Sequence, residues 1–515
     1  MNEHLQKPKI RLRYSGFINF SASIYSAITG LLFTTLITRN LPLQEVGLFR
    51  LISALISYFI IPVGIFGDWI TRYRARGFYK ASLTGIVNCL ILSLTSTFLL
   101  IASTPYILPE IYTQRHLLLL TSMLLLLLAL NRVTSASLRA LMPHALGYGD
   151  YIFETIKVLA FILLLFSFKM YNISAALTAI AIAFLARNIF SLLLLREDIK
   201  SGDFDHKMLL RWYLISWIQL YMLLPPNITR LDNFLLNALL PNSKVILAFL
   251  QVLFTVGGIA TYAIRFSDAL YSKVLISSEV TEIRSSVEMI LRFILMFDIP
   301  LILGSLILSK ELLMIFGKEY VTVAGVLPLV MLLSTLSIIS TFLGTSLRGI
   351  EKADIETTSP KILIRSTLVI VPTIDLISAL LYLPLLVLST LFFSENTLLV
   401  IFSLISSRII TSAFSTLTKY MLLKRSIGKL NIRRSFFNYL LASLIMCLLV
   451  FLIKNYTYPP TGLNESLRVR EILILLSPYI ISGAIIYVAV LLVLDHDFRS
   501  LTKLILRSIM KRLRQ

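Results

Sequence analysis

The sequence predicts an all-α integral membrane protein with about fourteen transmembrane helices, most of them near the roughly 20 residues a bilayer demands. Three observations carry this. Mean hydropathy is +0.84 and 57% of residues are hydrophobic, while charged residues make up only 15%; ordinary soluble domains carry about 25% charged residues. The apolar runs are Leu/Ile-rich and unbroken rather than alternating. Backbone groups in lipid must be satisfied internally, which leaves helices or a closed barrel, and the absence of alternation excludes the barrel. Basic residues recur in every second connecting segment, as the positive-inside rule requires.

Taken in order, the chain begins with Lys7, Lys9, Arg11 and Arg13. The apolar run at 14–38 that follows is longer than a signal-peptide core and reads as a retained first span. Further spans are expected at 46–67, 82–104, 116–138, 152–170, 173–195, 209–239, 244–265, 287–309, 324–346, 363–386, 397–421, 436–453 and 471–494. Pro372, Pro384 and the Ser394-Glu395-Asn396 break interrupt the stretch 363–421. One set of connections carries Arg72, Arg74, Arg76 and Lys80, then Arg139, then Arg196, Lys200, Lys207 and Arg211. The same set continues with Lys273 and Arg284, Arg348, Lys352 and Lys361, and Lys424 to Arg434. The alternate connections are poorer in basic residues, so both termini are expected in the cytoplasm of a plasma-membrane protein. The tail Phe498–Gln515 places Leu501, Leu504, Ile505 and Ile509 at helical spacing among basic residues. It reads either as an amphipathic surface helix or as a solvated basic tail.

An internal repeat organises the spans. Leu41-Pro42 follows span one and Leu240-Pro241 follows span seven. Ser137-Leu138-Arg139 follows span four and Ser346-Leu347-Arg348 follows span ten. Two anchors at equivalent positions imply two six-span halves of like orientation. The expected organisation is therefore a first lobe at 1–195, a cytoplasmic linker at 196–208 and a second lobe at 209–422. An extra helix pair at 436–494 and a basic tail at 495–515 complete it.

Several function classes fall away. The net charge of +21 is spread over loops, with no compact basic domain to hold nucleic acid. Cys89 and Cys447 lie in apolar runs and build neither a disulfide framework nor a metal site. The five histidines show no ligand spacing. There is no P-loop and no zinc-protease motif. Asp495-His496-Asp497 matches the D-x-D of metal-dependent glycosyltransferases, but it stands at a helix end without a nucleotide-binding domain. The longest polar gaps, 266–286, 422–435 and 454–470, are too short for a catalytic domain. The chain reads as no enzyme, with no catalytic residues, no metal and no cofactor.

Four stretches resemble the polysaccharide, or lipid-linked oligosaccharide, flippases (Wzx-like) of the MOP exporter superfamily. They are Thr38-Arg39-Asn40-Leu41-Pro42 with Val46-Gly47-Leu48-Phe49, Arg230-Leu231-Asp232-Asn233, Leu313 to Tyr320, and Leu347 to Lys352. Their order and spacing cover about residues 10–490. The segment Asp68–Lys80 departs from the family in being more basic. The resemblance implies two helical bundles around a central cavity with alternating access. It implies translocation of a polyprenyl- or dolichyl-(pyro)phosphate-linked glycan from the cytoplasmic to the outer leaflet. The partners it implies are the lipid-linked glycan, membrane lipids and glycan-assembly enzymes, with the chain acting as a monomer.

Such a task needs fixed cations for phosphate and polar walls for sugar. Ionisable groups inside spans are therefore the candidates. Arg230, after the helix-disrupting Pro225-Pro226, suits bidentate phosphate binding; snorkelling to the surface is the competing role. Asp232, Arg39, Arg50 and Asn19 complete the expected phosphate- and glycan-binding set. Headgroup anchoring competes for both arginines, and helix packing competes for Asn19. Arg265, Asp268 and Arg292 are candidates for the inner mouth or gate. Asp298 and Asp375 are candidates for ion coupling, with pairing to an arginine as the alternative. Arg187 and Arg408 are also intramembrane. Two other readings compete: a cation-coupled multidrug (MATE-like) exporter and a membrane glycan polymerase or ligase.

Overall fold

The structure, a computed structural model, describes residues 12–261, 280–350, 364–457, 468–495 and 498–499. All regular secondary structure among the described residues is helical. Ten helices there are long and apolar enough to cross a membrane, or eleven if one bent pair counts as a single span. The chain is a multi-pass membrane protein. Where fourteen spans were expected, four fall outside the ten. The segment 46–67 is the bent pair: α2 (Leu43–Phe59) breaks at Ile60, and α3 (Ile61–Gly64) and α4 (Gly67–Ala75) follow at 52°. The segment 152–170 covers the second half of α8 (Pro143–Phe166) and the turn after it, and the helix carries Asp150, Glu154 and Lys157. The segment 209–239 is split into α11 (His206–Arg230) and α12 (Asp232–Leu239). The segment 244–265 begins as the short α13 (Ser243–Gly257).

Two compact units divide the chain within α13, at Met1–Gln251 and Val252–Gln515. This partition places the span-seven helix α11 in the first unit, whereas the repeat places it at the head of the second lobe.

In the first unit, α1 (Leu12–Asn40) packs on α8, and α8 packs on α9 (Ile173–Leu194). Next to them, α7 (Arg115–Leu141) packs on α9 and on α5 (Lys80–Ile107). Small residues allow the close approach: Ala175, Ala176, Ala179, Ala181 and Ala183 of α9 are all buried. Gly147 of α8 sits where any Cβ would meet Ile18 and Asn19 of α1. Side-chain caps start α9 and α11: Asn172 accepts from the Ala175 N–H, and Asp205 accepts from the Met208 N–H. Phe98 and Leu214 project from the surface, as lipid-facing residues do.

The two Leu-Pro anchors of the repeat meet in this unit. A Cβ at Gly47, just after the first, would strike the Lys244 backbone, just after the second. Glu45 accepts from the Ile173 N–H at 2.8 Å, and Lys244 pairs with Glu110. The basic stretch Asp68–Lys80 is partly used in packing. Arg74 binds Asp198 of α10 (Arg196–Lys200) at 2.5 Å, and Lys80 approaches Asp203 at 3.9 Å.

In the second unit, α14 (Val280–Met314) is 35 residues long. That is about 50 Å of helix, well beyond the expected span 287–309. A 3₁₀ segment (Lys318–Val326) leads into α15 (Leu327–Ile350). The break at 394–396 separates α16 (Thr367–Phe393) from α17 (Thr397–Ile427), and Asn396 caps α17. The extra pair, α18 (Arg433–Thr457) and α19 (Val469–Leu494), packs on α14. The contact is apolar, through Ile299, Tyr439, Met446, Leu476 and Tyr487, with polar ties added. Lys454 pairs with Glu311 at 2.6 Å and donates to the Ile307 carbonyl.

Candidate functional site

The first unit gathers its cations where helices break. Tyr58 stands in the last turn of α2, and its hydroxyl donates to the Asn227 carbonyl of α11. After the break comes Gly64 of α3, and the Arg132 guanidinium of α7 lies directly against it. A side chain at Gly64 would displace Nη1 of Arg132. Opposite, Pro225 and Pro226 remove two N–H donors from α11. The Pro225 carbonyl accepts from the Thr229 hydroxyl at 3.0 Å. One turn later Arg230 ends the helix, its Nη1 at 3.4 Å from Oδ1 of Asn227.

Asn233 joins the pieces. Its Nδ2 donates to the Arg230 carbonyl and to Oδ1 of Asp232, both at 2.9 Å. Its Oδ1 accepts from Nε of Arg50 at 2.7 Å. Asp232 is fully buried in the first turn of α12, where the helix dipole favours a carboxylate. Arg132 and Arg230 are exposed and feel each other's charge. Neither forms an ion pair with a described residue. The cluster thus holds Arg50, Arg132 and Arg230 against one carboxylate, Asp232. Like charges repel, and an anion that reached both guanidinium groups would relieve that repulsion.

Of the expected binding set, the structure brings Arg50, Arg230 and Asp232 together. Arg39 is exposed at the end of α1. Asn19 is elsewhere: its Nδ2 donates to the Pro143 carbonyl at 3.2 Å, at the α1–α8 packing surface. Arg265 and Asp268 lie outside the described residues. Arg292 donates to the Asn431 carbonyl at 2.9 Å. Arg187 pairs with Asp150 at 2.7 Å. Arg408 stacks over Phe254 and Tyr382, its guanidinium carbon 5.2 Å and 5.1 Å from the ring centroids.

Asp375 does pair with a cation, but that cation is a lysine. Nζ of Lys419, from α17, binds Oδ1 of Asp375 at 2.6 Å. It also donates to the Ser340 hydroxyl of α15 at 2.9 Å. Ser415 donates to Asp375 at 2.8 Å and lies 3.1 Å from the Ser340 hydroxyl. The lysine is buried, whereas the Asp375 side chain is 35% exposed. The first unit holds a counterpart. Lys157 binds Glu154 at 2.6 Å on α8, and Thr29 of α1 donates to the same carboxylate oxygen at 2.6 Å.

Sequence reasoning passed over Arg132, Glu154, Lys157 and Lys419. Each lies inside an expected span, so the rule that selected Arg230 also points to them. Arg132 is the one Lys or Arg of the expected span 116–138. Asn233 and Tyr58 carry no comparable signal; only the fold brings them to the arginines.

No protein-family profile matches the chain, and no curated protein matches it by sequence. Solved structures match its fold. The inward-facing form of a multidrug resistance MATE family transporter of the MOP superfamily aligns with a TM-score of 0.63 and 10% identity, covering 80% of this chain and 98% of that one. The lipid II flippase MurJ, in an inward closed conformation, aligns at 0.59 and 16% identity, covering 93% of this chain and 99% of that one. An outward-facing MATE transporter of the MOP superfamily aligns at 0.56 and 13% identity, over 81% and 95% of the two chains. The chain therefore has the fold shared by MATE and MurJ transporters, and these neighbours are transporters and flippases rather than enzymes.

Proposed function

We propose that the chain is a flippase for a polyprenyl- or dolichyl-(pyro)phosphate-linked oligosaccharide, moving it from the cytoplasmic to the outer leaflet. The observation that carries this reading is the cluster of Arg50, Arg132 and Arg230 around one buried carboxylate in the first unit. A phosphate that crosses hydrocarbon must exchange its water for fixed cations. Guanidinium groups supply paired donors and stay charged. Tyr58, Asn227 and Asn233 fix the cluster, so its geometry exists before the anion arrives.

The proposal includes the rest of the cycle. The two lobes alternate in access, both termini are cytoplasmic, and the chain acts as a monomer in the plasma membrane. The glycan assembly enzymes deliver the substrate. A cation-coupled multidrug exporter is the second reading, favoured by the same fold and by carboxylates inside the second unit, Asp298 and Asp375.

A deletion strain separates the two. Loss of outer-leaflet glycan with lipid-linked glycan retained on the cytoplasmic side supports the flippase. Normal glycan display together with new sensitivity to cationic drugs supports the exporter and removes the flippase.

A further inference from the structure

The flippase reading makes no use of the basic stretch Asp68–Lys80. Arg74 is taken up in packing, but Arg72 and Arg76 of α4 are exposed. The turn that follows has a defined structure. Gly77, at φ +94°, lets its N–H reach the Arg74 carbonyl at 3.1 Å and the Phe78 N–H reach the Tyr73 carbonyl at 3.2 Å. This is a Schellman helix end, complete with its apolar contact: the Phe78 ring lies 5.4 Å from that of Tyr73. Tyr73 in turn meets Trp212 of α11 edge to face at 5.6 Å. The turn therefore holds Phe78 and Tyr79 exposed at the head of α5, and Lys80 is the first residue of that helix.

Two polar contacts tie α5 to the start of α11. The Asp205 N–H donates to the Thr84 hydroxyl at 3.0 Å, and the Tyr213 hydroxyl donates to Oδ1 of Asn88 at 2.8 Å. Both helices turn an apolar face outward. On α5, Ile91, Leu94 and Phe98 are exposed, and Lys80 stands on the same face about three turns before Ile91. On α11, Leu210, Leu214 and Trp217 are exposed, and Lys207 and Arg211 share their face at a spacing of three and four residues. Each helix thus presents cations at its start and large apolar side chains beyond them. Neither Lys207 nor Arg211 is ion-paired to a described residue. Lys80 reaches Asp203 at 3.9 Å, and that carboxylate is 79% exposed, so solvent weakens the contact.

Loop cations that only set topology need no particular neighbours. Here they stand on the outward apolar faces of two helices that are tied together. Aromatic rings lie at the junction, as they do at the boundary between headgroups and hydrocarbon. A free anion has no use for the apolar wall, and an uncharged lipid has no use for the cations. We propose that this end of the first unit binds an anionic phospholipid. Lys80, Lys207 and Arg211 take the headgroup phosphate, with their stems along the apolar faces. The acyl chains lie against Leu94, Leu210 and Leu214. None of these residues belongs to the Arg50, Arg132 and Arg230 cluster, so the site stands or falls separately from the transported substrate.

The three tryptophans of the chain, Trp69, Trp212 and Trp217, lie on α4 and α11, so intrinsic fluorescence reports on this end of the unit. The full chain is reconstituted in vesicles of phosphatidylcholine and phosphatidylglycerol, with one lipid or the other brominated on its acyl chains as quencher. At equal mole fraction, brominated phosphatidylglycerol should quench the wild type more deeply. Lys207→Gln with Arg211→Gln should abolish that preference, at on the order of fivefold in relative affinity per cation removed. Arg139→Gln with Arg196→Gln removes the same charge from exposed positions on α7 and α10 and should leave the preference intact. Equal quenching by the two lipids in the wild type would overturn the proposal. So would an equal loss in both double variants, which is the mark of a diffuse field. If the α11 variant fails to accumulate, Lys80→Gln takes its place, and an undiminished preference there overturns the proposal.

Discussion

In the first unit, Arg132 and Arg230 feel each other's charge, neither is ion-paired to a described residue, and both are exposed. In the second unit, Lys419 is closed off by Asp375 and Ser340, with Ser415 bracing the pair. Both are cations inside a membrane protein, and their surroundings assign them opposite work. A cation whose partners are all protein groups is a structural tie: it holds α15, α16 and α17 together. On the proposed function, a pair of cations without an ion-pair partner is a seat that the anion of the substrate completes. Glu154 and Lys157 sharpen the point, because the first unit also contains a fully paired lysine. The excess of arginines at the helix breaks is therefore a feature of that cluster and not of every cation within a helix of the unit.

The largest expected effect comes from removing that excess. Charge-assisted hydrogen bonds are worth about 1.5–3 kcal/mol each, so Arg132→Ala with Arg230→Ala should lower transport by roughly a hundredfold or more. Thermal stability should hold, since neither arginine is ion-paired to described residues. A transport assay paired with a melting curve checks both halves, and full activity in the double variant breaks the comparison.

The converse change belongs to the second unit. Asp375→Asn leaves the Lys419 ammonium buried without its counterion. Removing one partner of a buried pair costs about 3–5 kcal/mol, and partial exposure of Asp375 places this case near the lower end. The melting temperature should fall clearly, and the double variant Lys419→Met with Asp375→Leu should recover most of the loss. A single variant as stable as wild type would show that the pair is no tie.

Gly64→Val changes no charge. It pushes the Arg132 guanidinium from its seat at the α3 break. Transport should drop by about tenfold, equivalent to roughly 1.4 kcal/mol, with expression intact. Unchanged transport would mean that the position of Arg132 does not matter. The smallest effect is Tyr487→Phe, which removes the donor to the Met296 carbonyl. A net loss of about 1 kcal/mol is expected, read as a modest fall in melting temperature. Any larger fall would indicate that the C-terminal pair does more than supply this one donor to α14.

Part of the candidate site was legible in the sequence. Arg50, Arg230 and Asp232 were named from their place in or beside apolar runs, and the structure links them through Asn233. Asn233 itself was not legible as a linker, because an asparagine near a helix end has many uses and only contact reveals one. Asn19 was drawn toward the sugar path by its polarity, yet its amide is used to tie α1 to α8. The basic stretch at Asp68–Lys80 looked anomalous in one dimension. Its Arg74 meets Asp198, more than a hundred residues away, and no local pattern announces such a partner.

What the sequence by itself determined was the solvent and the secondary structure. Continuous Leu/Ile runs permit only helices in lipid, because every backbone group must find its partner within the segment. What only the tertiary structure decided was the state of each charge. Whether an arginine is paired, and whether an aspartate such as Asp298 is sealed from water, depends on side chains that approach from other helices. Electrostatic energy is set by distance and burial, and neither is written along the chain.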